Sequence, residues 1–485
     1  MFVFDTGVAK SATSLAAACL ALQDDVDLIL IICEQSKLDD ANEWPFDVRT
    51  FTTISDYGIY HGPRRRKLLE GRLPTVVITT YDIVRQDAAV KISARKFTDG
   101  PLLGALMQRR VMVIYDEISV LGRRSSGRYK THYYMLSRLR EKDPDLRVIG
   151  LTATSQDTGY ENTFSELRLM VPKAMPTVKE FERRVISYRS PDDHYAPHYR
   201  PEGVLWFRQV CAPRMIRKRK TDPDVRDEFP RFSEKFIPCL MKGDQRRLYK
   251  ALDSLGTGDD GRRRELPGLR PLMRQFLGDP LAVREAARAG DSDLARMVWE
   301  EWEEELTRCS SAKTEELLNR LSMITGNGYK AIVFTFYGQT VLKVLEERLA
   351  AFSLYVYHGQ MTKAARERSK AGFRAHQGAA VLLTSDALAK GPNIPEASYV
   401  IEHEPARTYS GRVQRAGRAH RLGCELPTTL FTLFTRDTLE DEVSIPRLLR
   451  RNDEQDTMLG DHGAEGHVSA ADRAVAFAES RKSHG

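Results

Sequence analysis

Apolar positions in the first 170 residues come in short runs, with amphipathic stretches between them. Val26–Cys33, Thr75–Thr79, Val111–Tyr115 and Arg147–Leu151 read as buried strands, and the stretches between have helical spacing. This alternation predicts a parallel sheet covered by helices. A second alternating block runs from about residue 330 to 436, with strands at Ala331–Phe334, Leu354–Tyr357, Ala380–Thr384, Tyr399–Glu402 and Thr428–Phe434. Residues 171–325 differ in character. They are charged and mostly helical in pattern, with loop breaks around Ser190–Pro201 and Gly256–Gly261. So long a connection is uncommon as structureless loop, so it should hold its own helices. The pattern therefore predicts an α/β chain: a lobe at 1–170, a helical insertion at 171–325, a second lobe at 326–450 and a partly disordered tail at 451–485. The tail carries Gly, His and Ser with few large apolar groups, leaving room for one short helix.

Composition narrows the class. A chain of 485 residues exceeds one core. No apolar run approaches the ~20 residues of a membrane span, and the N-terminus shows no secretory signal, so a cytoplasmic location is expected. Six cysteines (Cys19, Cys33, Cys211, Cys239, Cys309 and Cys424) contain no CxxC pair, which argues for reduced thiols over disulfides or zinc. The net charge of +7 is compatible with a polyanionic partner. Basic clusters lie at Arg64–Lys67, Arg214–Lys220, Arg262–Arg264 and Arg447–Arg451, and an acidic run at Glu300–Glu305. Such runs are more often solvated faces than ligand sites.

Four segments carry chemistry. The chain opens with a very short apolar strand, then Asp5-Thr6-Gly7-Val8-Ala9-Lys10-Ser11, then an Ala-rich helix. Strand, tight loop, Lys-Ser and helix form a phosphate cradle, in which loop amides and lysine face phosphates and the Ser hydroxyl binds Mg²⁺. An ordinary capped helix after a strand would look similar. Second, Val111–Tyr115 runs into Asp116-Glu117, two carboxylates at the carboxyl end of a buried strand. One can hold a metal and the other polarise an attacking water. Third, Thr152 and Thr154 follow the next strand. Fourth, Gln414, Arg415, Arg418 and Arg421 fall within one stretch read as helical, with Arg418 and Arg421 three apart on a shared face. Forked guanidinium groups suit γ-phosphate oxygens.

DTGVAKS, YDEI, LTAT and QRAGRAHRLG, in this order, resemble motifs I, II, III and VI of superfamily-two helicases. RAHRLG, the stretch CAPRMIRKRKTDPDVRDEFPRFSEKFIPCLMKGDQRRLYKAL from Cys211, SSAKTEELL, YHGQM and LLTSDALAKGPNIPEASYVIEHEP resemble the Swi/Snf branch. WPF, YHGPRRR and VVITTYDIV resemble the first lobe's nucleic-acid motifs, so the resemblance spans about residues 2–450. It implies two RecA-like lobes that hydrolyse ATP with Mg²⁺ and move on nucleic acid, most readily duplex DNA. Gly7, Ala9, Lys10, Ser11 and Asp116 would bind nucleotide, Ser11 and Asp116 the metal. Glu117, Arg418, Arg421 and Gln414 would be catalytic, and Thr152 and Thr154 would couple the lobes. Ser36, Lys37, Thr79, Thr80, Tyr81, Thr384, Ser385 and Asn393 would line the nucleic-acid track.

The sequence departs from the family at four places. Ala9 stands for Gly, Ser119 for a histidine or aspartate, and Cys424 for a glutamine. Only four residues precede Asp5, where the family carries an adenine-contacting segment: either the true start lies upstream, or another polypeptide supplies that part, or nucleotide selectivity is relaxed. Two rival readings remain: a strand-separating or branch-remodelling helicase of the phage recombination or restriction type, and a catalytically impaired nucleic-acid-binding module. The Arg-rich composition fits a bacterial or phage source.

Overall fold

The computed structural model describes all residues except 39–42, 94–95, 155–158, 189–197, 258–265, 291, 390–392, 463, 465–466 and 483–485. The basic cluster at 262–264 therefore lies outside the described residues. Two compact units are present: Met1–Val225 with Glu454–His467, and Arg226–Asp453 with Val468–Gly485.

In the first unit the strands are β1 (Phe2–Phe4), β2 (Leu28–Cys33), β3 (Tyr57–Tyr60), β4 (Val76–Thr80), β5 (Ala89–Lys91), β6 (Phe97–Asp99), β7 (Val111–Asp116), β8 (Arg147–Thr152), β9 (Ile186–Tyr188), β10 (His198–Tyr199) and β11 (Ile216–Lys218). Seven of them form one sheet in the order β11-β1-β8-β7-β2-β4-β3, with every pairing parallel. A parallel sheet is covered on both faces, which is why the inner strands read as unbroken apolar runs. All of Leu28–Cys33 is buried. One face packs on Leu15, Ala18, Trp44 and Val48, the other on Leu102, Leu106, Met135, Leu136 and Phe164.

The second unit holds β12 (Phe232–Cys239), β13 (Ala331–Thr335), β14 (Leu354–Tyr357), β15 (Val381–Ser385), β16 (Tyr399–Glu402) and β17 (Thr428–Thr435). They form a second all-parallel sheet in the order β12-β17-β16-β13-β15-β14. The two-lobed α/β architecture and nine of the strands thus match the apolar pattern. Among the described residues, no helix is long and apolar enough to cross a membrane.

The domain boundaries differ from the pattern. Residues 171–325 are divided at Val225/Arg226 between the two units and contain the antiparallel pair β9 and β10 and one strand of each main sheet, β11 and β12. β11 and β12 are edge strands. The first half of β12 alternates partly buried and exposed positions, and Pro238 sits in its second half. Pro is confined to edges because it cannot donate to the ladder, and this mixed composition hid the strand. The expected helices include Val178–Val185, Pro201–Cys211, Ala312–Gly326 and a group from 243 to 308. Helices Gly243–Ser254, Leu269–Gly278, Ala282–Ala289 and Asp293–Arg308 share a cluster with Leu252, Phe276, Val298 and Leu306 at its centre. The expected tail also divides. Glu454–His467 packs within the first unit, and the helix Ala470–Lys482 buries Phe477 against Phe236 and Phe434 in the second.

Candidate active site

In an open parallel sheet, ligands bind beyond the carboxyl ends of the strands. Asp5–Ala9 follow β1, Ser36 and Lys37 follow β2, and Tyr81 follows β4. Asp116 and Glu117 close β7, and Thr152 closes β8. The spatial order β1-β8-β7-β2-β4 places the Thr152 and Glu117 strands side by side despite 35 intervening positions.

The loop after β1 is bent by Gly7 (φ 86°) and Ala9 (φ 46°, ψ 35°), with Ala9 capping the helix Lys10–Asp24. A left-handed Ala carries about 1–2 kcal/mol of steric cost that Gly escapes. Lys10 Nζ donates to the Phe4 and Asp5 carbonyls (2.8 and 3.1 Å), folding the ammonium over the loop. Burial alone would raise the Asp5 carboxyl. The Arg217 guanidinium, 2.7 Å away, and the Lys220 amide hold it below the usual range instead. Arg217 in turn pairs with Asp461 (2.9 Å), as does Arg219. The central part of the basic cluster 214–220 is thus an internal ion-pair network. Asp456, Asp461 and His467 also converge, but two guanidiniums already neutralise Asp461.

Glu117 is the best-held catalytic candidate. Its backbone is left-handed (φ 59°), and its Oε1 accepts from the Ser119 and Thr152 hydroxyls, each at 2.9 Å. Ser119, a departure from the family pattern, therefore acts as a hydroxyl clamp. Thr152 Oγ1 also accepts from the Thr154 amide (3.1 Å), which joins the two threonines of LTAT to the same carboxylate. Burial pushes the Glu117 carboxyl up, Lys10 opposes this and Asp116 adds to it. A carboxylate raised in this way is a better proton acceptor.

Asp116 is oriented twice. Its Oδ2 accepts from Trp44 Nε1 (2.9 Å), and its main-chain carbonyl accepts from the Tyr81 hydroxyl (2.8 Å). Behind it, His132 Nε2 lies 3.3 Å from the Tyr81 carbonyl and Nδ1 3.2 Å from the Tyr115 hydroxyl. A carbonyl only accepts, so Nε2 carries a proton, and burial favours the neutral ring. Burial lowers the His132 pKa to about 3. Asp47 lies three residues beyond Trp44 on the helix Trp44–Phe51, and burial pushes its carboxyl up to about 6, with the Ser11 hydroxyl opposing the shift. A hydroxyl and carboxylates are the donor types a hard divalent cation takes, so Ser11 and Asp116 fit Mg²⁺.

In the second unit the helix spans Tyr409–Ala416 only. Arg418 and Arg421 do not share a helix face, correcting the periodicity. The Arg418 carbonyl accepts from the Ile394 amide (2.8 Å). His420 stacks on Phe232 at 4.8 Å and lies 2.9 Å from the Pro230 carbonyl, and these contacts turn the chain away from a helical path. Arg418 Nη1 donates to Asn393 Oδ1 (3.2 Å), linking a motif VI arginine to a predicted track residue. Gln414 is half-buried on the helix, and Arg421 is half-buried beyond it. The arginines on the helix proper, Arg412 and Arg415, were missed as a pair, although their spacing of three was visible. Arg415 is fully buried between Asp386 (2.7 Å) and Glu402 (3.3 Å). Arg412 bridges Glu402 (2.7 Å) and Glu234 (3.2 Å).

The expected nucleic-acid track needs a correction. Thr79, Thr80, Tyr81 and Thr384 are buried. Thr79 and Thr384 donate to the Tyr60 and Tyr357 carbonyls (2.8 and 2.6 Å), and Thr80 caps the helix Tyr81–Asp87. Their hydroxyls are engaged inside their own units, because short polar side chains at the ends of central strands must satisfy themselves locally. Ser36 is exposed, while Lys37, Ser385 and Asn393 are half-buried, with Lys37 paired to Glu43 (2.7 Å).

Residues 2–281 match the family described as the SNF2-related domain, and residues 312–423 match the helicase conserved C-terminal domain. The chain is 23% identical over 428 residues to a Bacillus subtilis protein named putative ATP-dependent helicase/translocase YwqA. The match covers 86% of this chain and 41% of that protein. It is 24% identical over 251 residues to the DNA excision repair protein CSB of Oryza sativa, covering 50% of this chain and 20% of the relative. The chain therefore spans less than half the length of either. The Pyrococcus furiosus Hef helicase domain shares the fold, with a TM-score of 0.54, 14% identity, and coverage of 92% of this chain and 94% of that one. None of these three is a phage protein, and nothing else supports the phage source that the composition suggested.

Proposed function

The chain belongs to the SNF2-related family, and on that footing we propose that it is a nucleic-acid-stimulated ATPase that translocates along duplex DNA. The observation that carries this reading is Glu117, a half-buried carboxylate held by two hydroxyls beside Asp116 at the carboxyl edge of the sheet.

In this reading the loop amides and Lys10 bind the β- and γ-phosphates, with Lys10 leaving two carbonyls it can exchange for phosphate oxygens. Bound Mg²⁺ would supply positive charge to those oxygens, and Ser11 and Asp116 would hold it. Glu117 orients the attacking water and accepts its proton. Thr152 and Thr154 relay the state of Glu117 along β8. Arg418, Arg421 and Gln414 would stabilise charge on the leaving phosphoryl group, worth several orders of magnitude where such arginines act. For the track, Ser36, Lys37, Ser385 and Asn393 offer side chains. The strand ends at Thr79–Tyr81 and Thr384 offer main-chain groups only. Such contacts suit sequence-independent, salt-sensitive binding.

The test is DNA-stimulated ATP hydrolysis by wild type, Lys10→Ala and Glu117→Gln, with triplex displacement reporting movement. Wild-type hydrolysis lost in both variants is expected. DNA binding without hydrolysis by wild type would sink the proposal. It would favour a non-catalytic binding module, the reading to which the strained Ala9 points.

A further inference from the structure

The C-terminal segment that packs within the first unit brings a buried carboxylate into contact with the phosphate-loop end of the sheet. The helix Ile445–Leu459 ends at Gly460, whose left-handed backbone (φ 72°) lets the Asp461 amide donate back to the Asp456 carbonyl at 2.9 Å. This turn delivers the fully buried Asp461 to two arginines at β11. Its Oδ2 accepts from Arg217 Nε (3.1 Å) and Nη2 (2.9 Å), and its Oδ1 from Arg219 Nε (2.8 Å). The third nitrogen of Arg217, Nη1, faces β1. It lies 3.1 Å from the Val3 carbonyl, 3.0 Å from the Lys218 carbonyl and 2.7 Å from Asp5 Oδ1. The Lys220 amide donates to Asp5 Oδ2 (3.1 Å), and the Asp5 amide donates to the Lys218 carbonyl (2.9 Å).

A guanidinium is planar, so holding its Nε–Nη2 edge fixes where Nη1 points. Asp461 holds that edge, and Nη1 then reaches the end of β1 and the first residue of the loop. β11 by itself is a weak anchor: three residues at a sheet edge, with Ile216 exposed. Without Asp461, Arg217 would keep Asp5 but lose the partner that sets the plane of its fork. The Phe4 and Asp5 carbonyls that hold Lys10 Nζ belong to the same stretch, so movement there shifts the lysine as well. We infer that Asp461 is a positioning residue for nucleotide, acting through Arg217 on Asp5 and the loop that follows it. Displacing the C-terminal segment from the first unit would then loosen the loop and weaken nucleotide binding. This rests on the nucleotide-site reading above.

The test measures binding of a fluorescent, non-hydrolysable ATP analogue with Mg²⁺ by the full-length protein. Hydrogen–deuterium exchange of residues 2–11 is followed in parallel, with β2 as internal reference. Asp461→Asn keeps the shape and loses the charge that grips the fork. Arg217→Lys keeps the charge and loses the fork. His467→Gln removes the 3.2 Å contact with Asp456 and so perturbs the same segment away from Arg217. Asp461→Asn and Arg217→Lys should each bind the analogue about 3–30-fold more weakly, the range for residues acting through a packed network. Exchange should quicken in residues 2–11 and stay unchanged in β2. Combining the two should add little, since both break one link. His467→Gln should stay near wild type. Wild-type affinity in either Asp461→Asn or Arg217→Lys overturns the inference. So does exchange raised equally in β2, which marks general loosening, or a His467→Gln as impaired as Asp461→Asn, which marks packing of the segment. Fully additive losses in the double variant overturn it too. Should Asp461→Asn fail to fold, Arg217→Lys decides on the same readouts. Wild type that does not bind the analogue with Mg²⁺ would instead sink the nucleotide-site reading, and this inference with it.

Discussion

The strand-end carboxylates Glu117 and Glu402 are held differently in the two units. In the second, Arg412 and Arg415 lie among Glu402, Glu234 and Asp386, so guanidinium and carboxylate neutralise one another inside the fold. Arg473 adds to this from the C-terminal helix, and burial of Glu234 is outweighed by Arg473 and Arg412, which hold its carboxyl at about 2. In the first unit Lys10 reaches main-chain carbonyls and Glu117 reaches hydroxyls. Neutral partners can be exchanged for a ligand at modest cost, whereas breaking a buried ion pair leaves an uncompensated charge. The contrast separates residues that are charged for chemistry from residues that are charged for architecture.

The same carboxylate-to-amide change should therefore act oppositely in the two units. Glu117→Gln is expected to cut DNA-stimulated ATPase by about 10²–10⁴-fold, the range for a lost general base, while leaving the denaturation midpoint in place. Burial already disfavours the charged form there, so neutralising it does not unfold the unit. Glu402→Gln should cost up to about 3–5 kcal/mol in urea unfolding, because it removes the carboxylate that Arg412 and Arg415 share and leaves each with one acidic partner. If Glu402→Gln melted like wild type, the architectural reading of the second cluster would fail.

Acidification sharpens the comparison at a smaller scale. Burial lowers His132 in the first unit to about 3, and burial together with Lys313 lowers His403 in the second to about 4. His403 Nε2 lies 2.8 Å from the Gly278 carbonyl, which fixes its proton there. Below the ordinary value of 6.5 the unfolded chain takes up a proton that the folded state refuses. Stability is therefore lost as pH falls through 6.5 toward about 3 for His132 and about 4 for His403. The limit is about 1.4 kcal/mol per pH unit for each ring. His132→Gln and His403→Gln should each flatten the pH dependence of the urea midpoint. Trp44 and Trp206 report on the first unit, and Trp299 and Trp302 on the second. A slope unchanged in both variants would show that other groups carry it.

The smallest expected effect is at the phosphate loop. Ala9→Gly removes a left-handed Ala and should raise first-unit stability by about 0.5–1 kcal/mol, the steric relief being partly offset by unfolded-state entropy. Tighter nucleotide binding should accompany it. A loss of stability would mean that the Ala methyl makes a compensating contact.

Much of the site was legible because its residues follow strands whose apolar runs are plain. Lys10, Asp116, Glu117 and Thr152 needed only that pattern and their order. The contact of Trp44 with Asp116 was not legible. An indole in a short helix has no local signal for the carboxylate that folding brings to it. Arg418 was found for its chemistry but placed on a helix, since spacing alone cannot register Gly417 or the packing of His420 under Phe232.

The sequence by itself determined the two parallel sheets, the order of the motifs and the family, because buried strands and phosphate chemistry both demand particular residue types at short range. Tertiary structure decided which charges face one another. It assigned β11 and β12 to sheet edges, drew the segment around Asp461 to Arg217 and Arg219, buried the threonines of the expected track, and distinguished Arg415 from Arg418. Those outcomes depend on long-range neighbours and on the dielectric that packing creates, and neither is written in any local stretch of the chain.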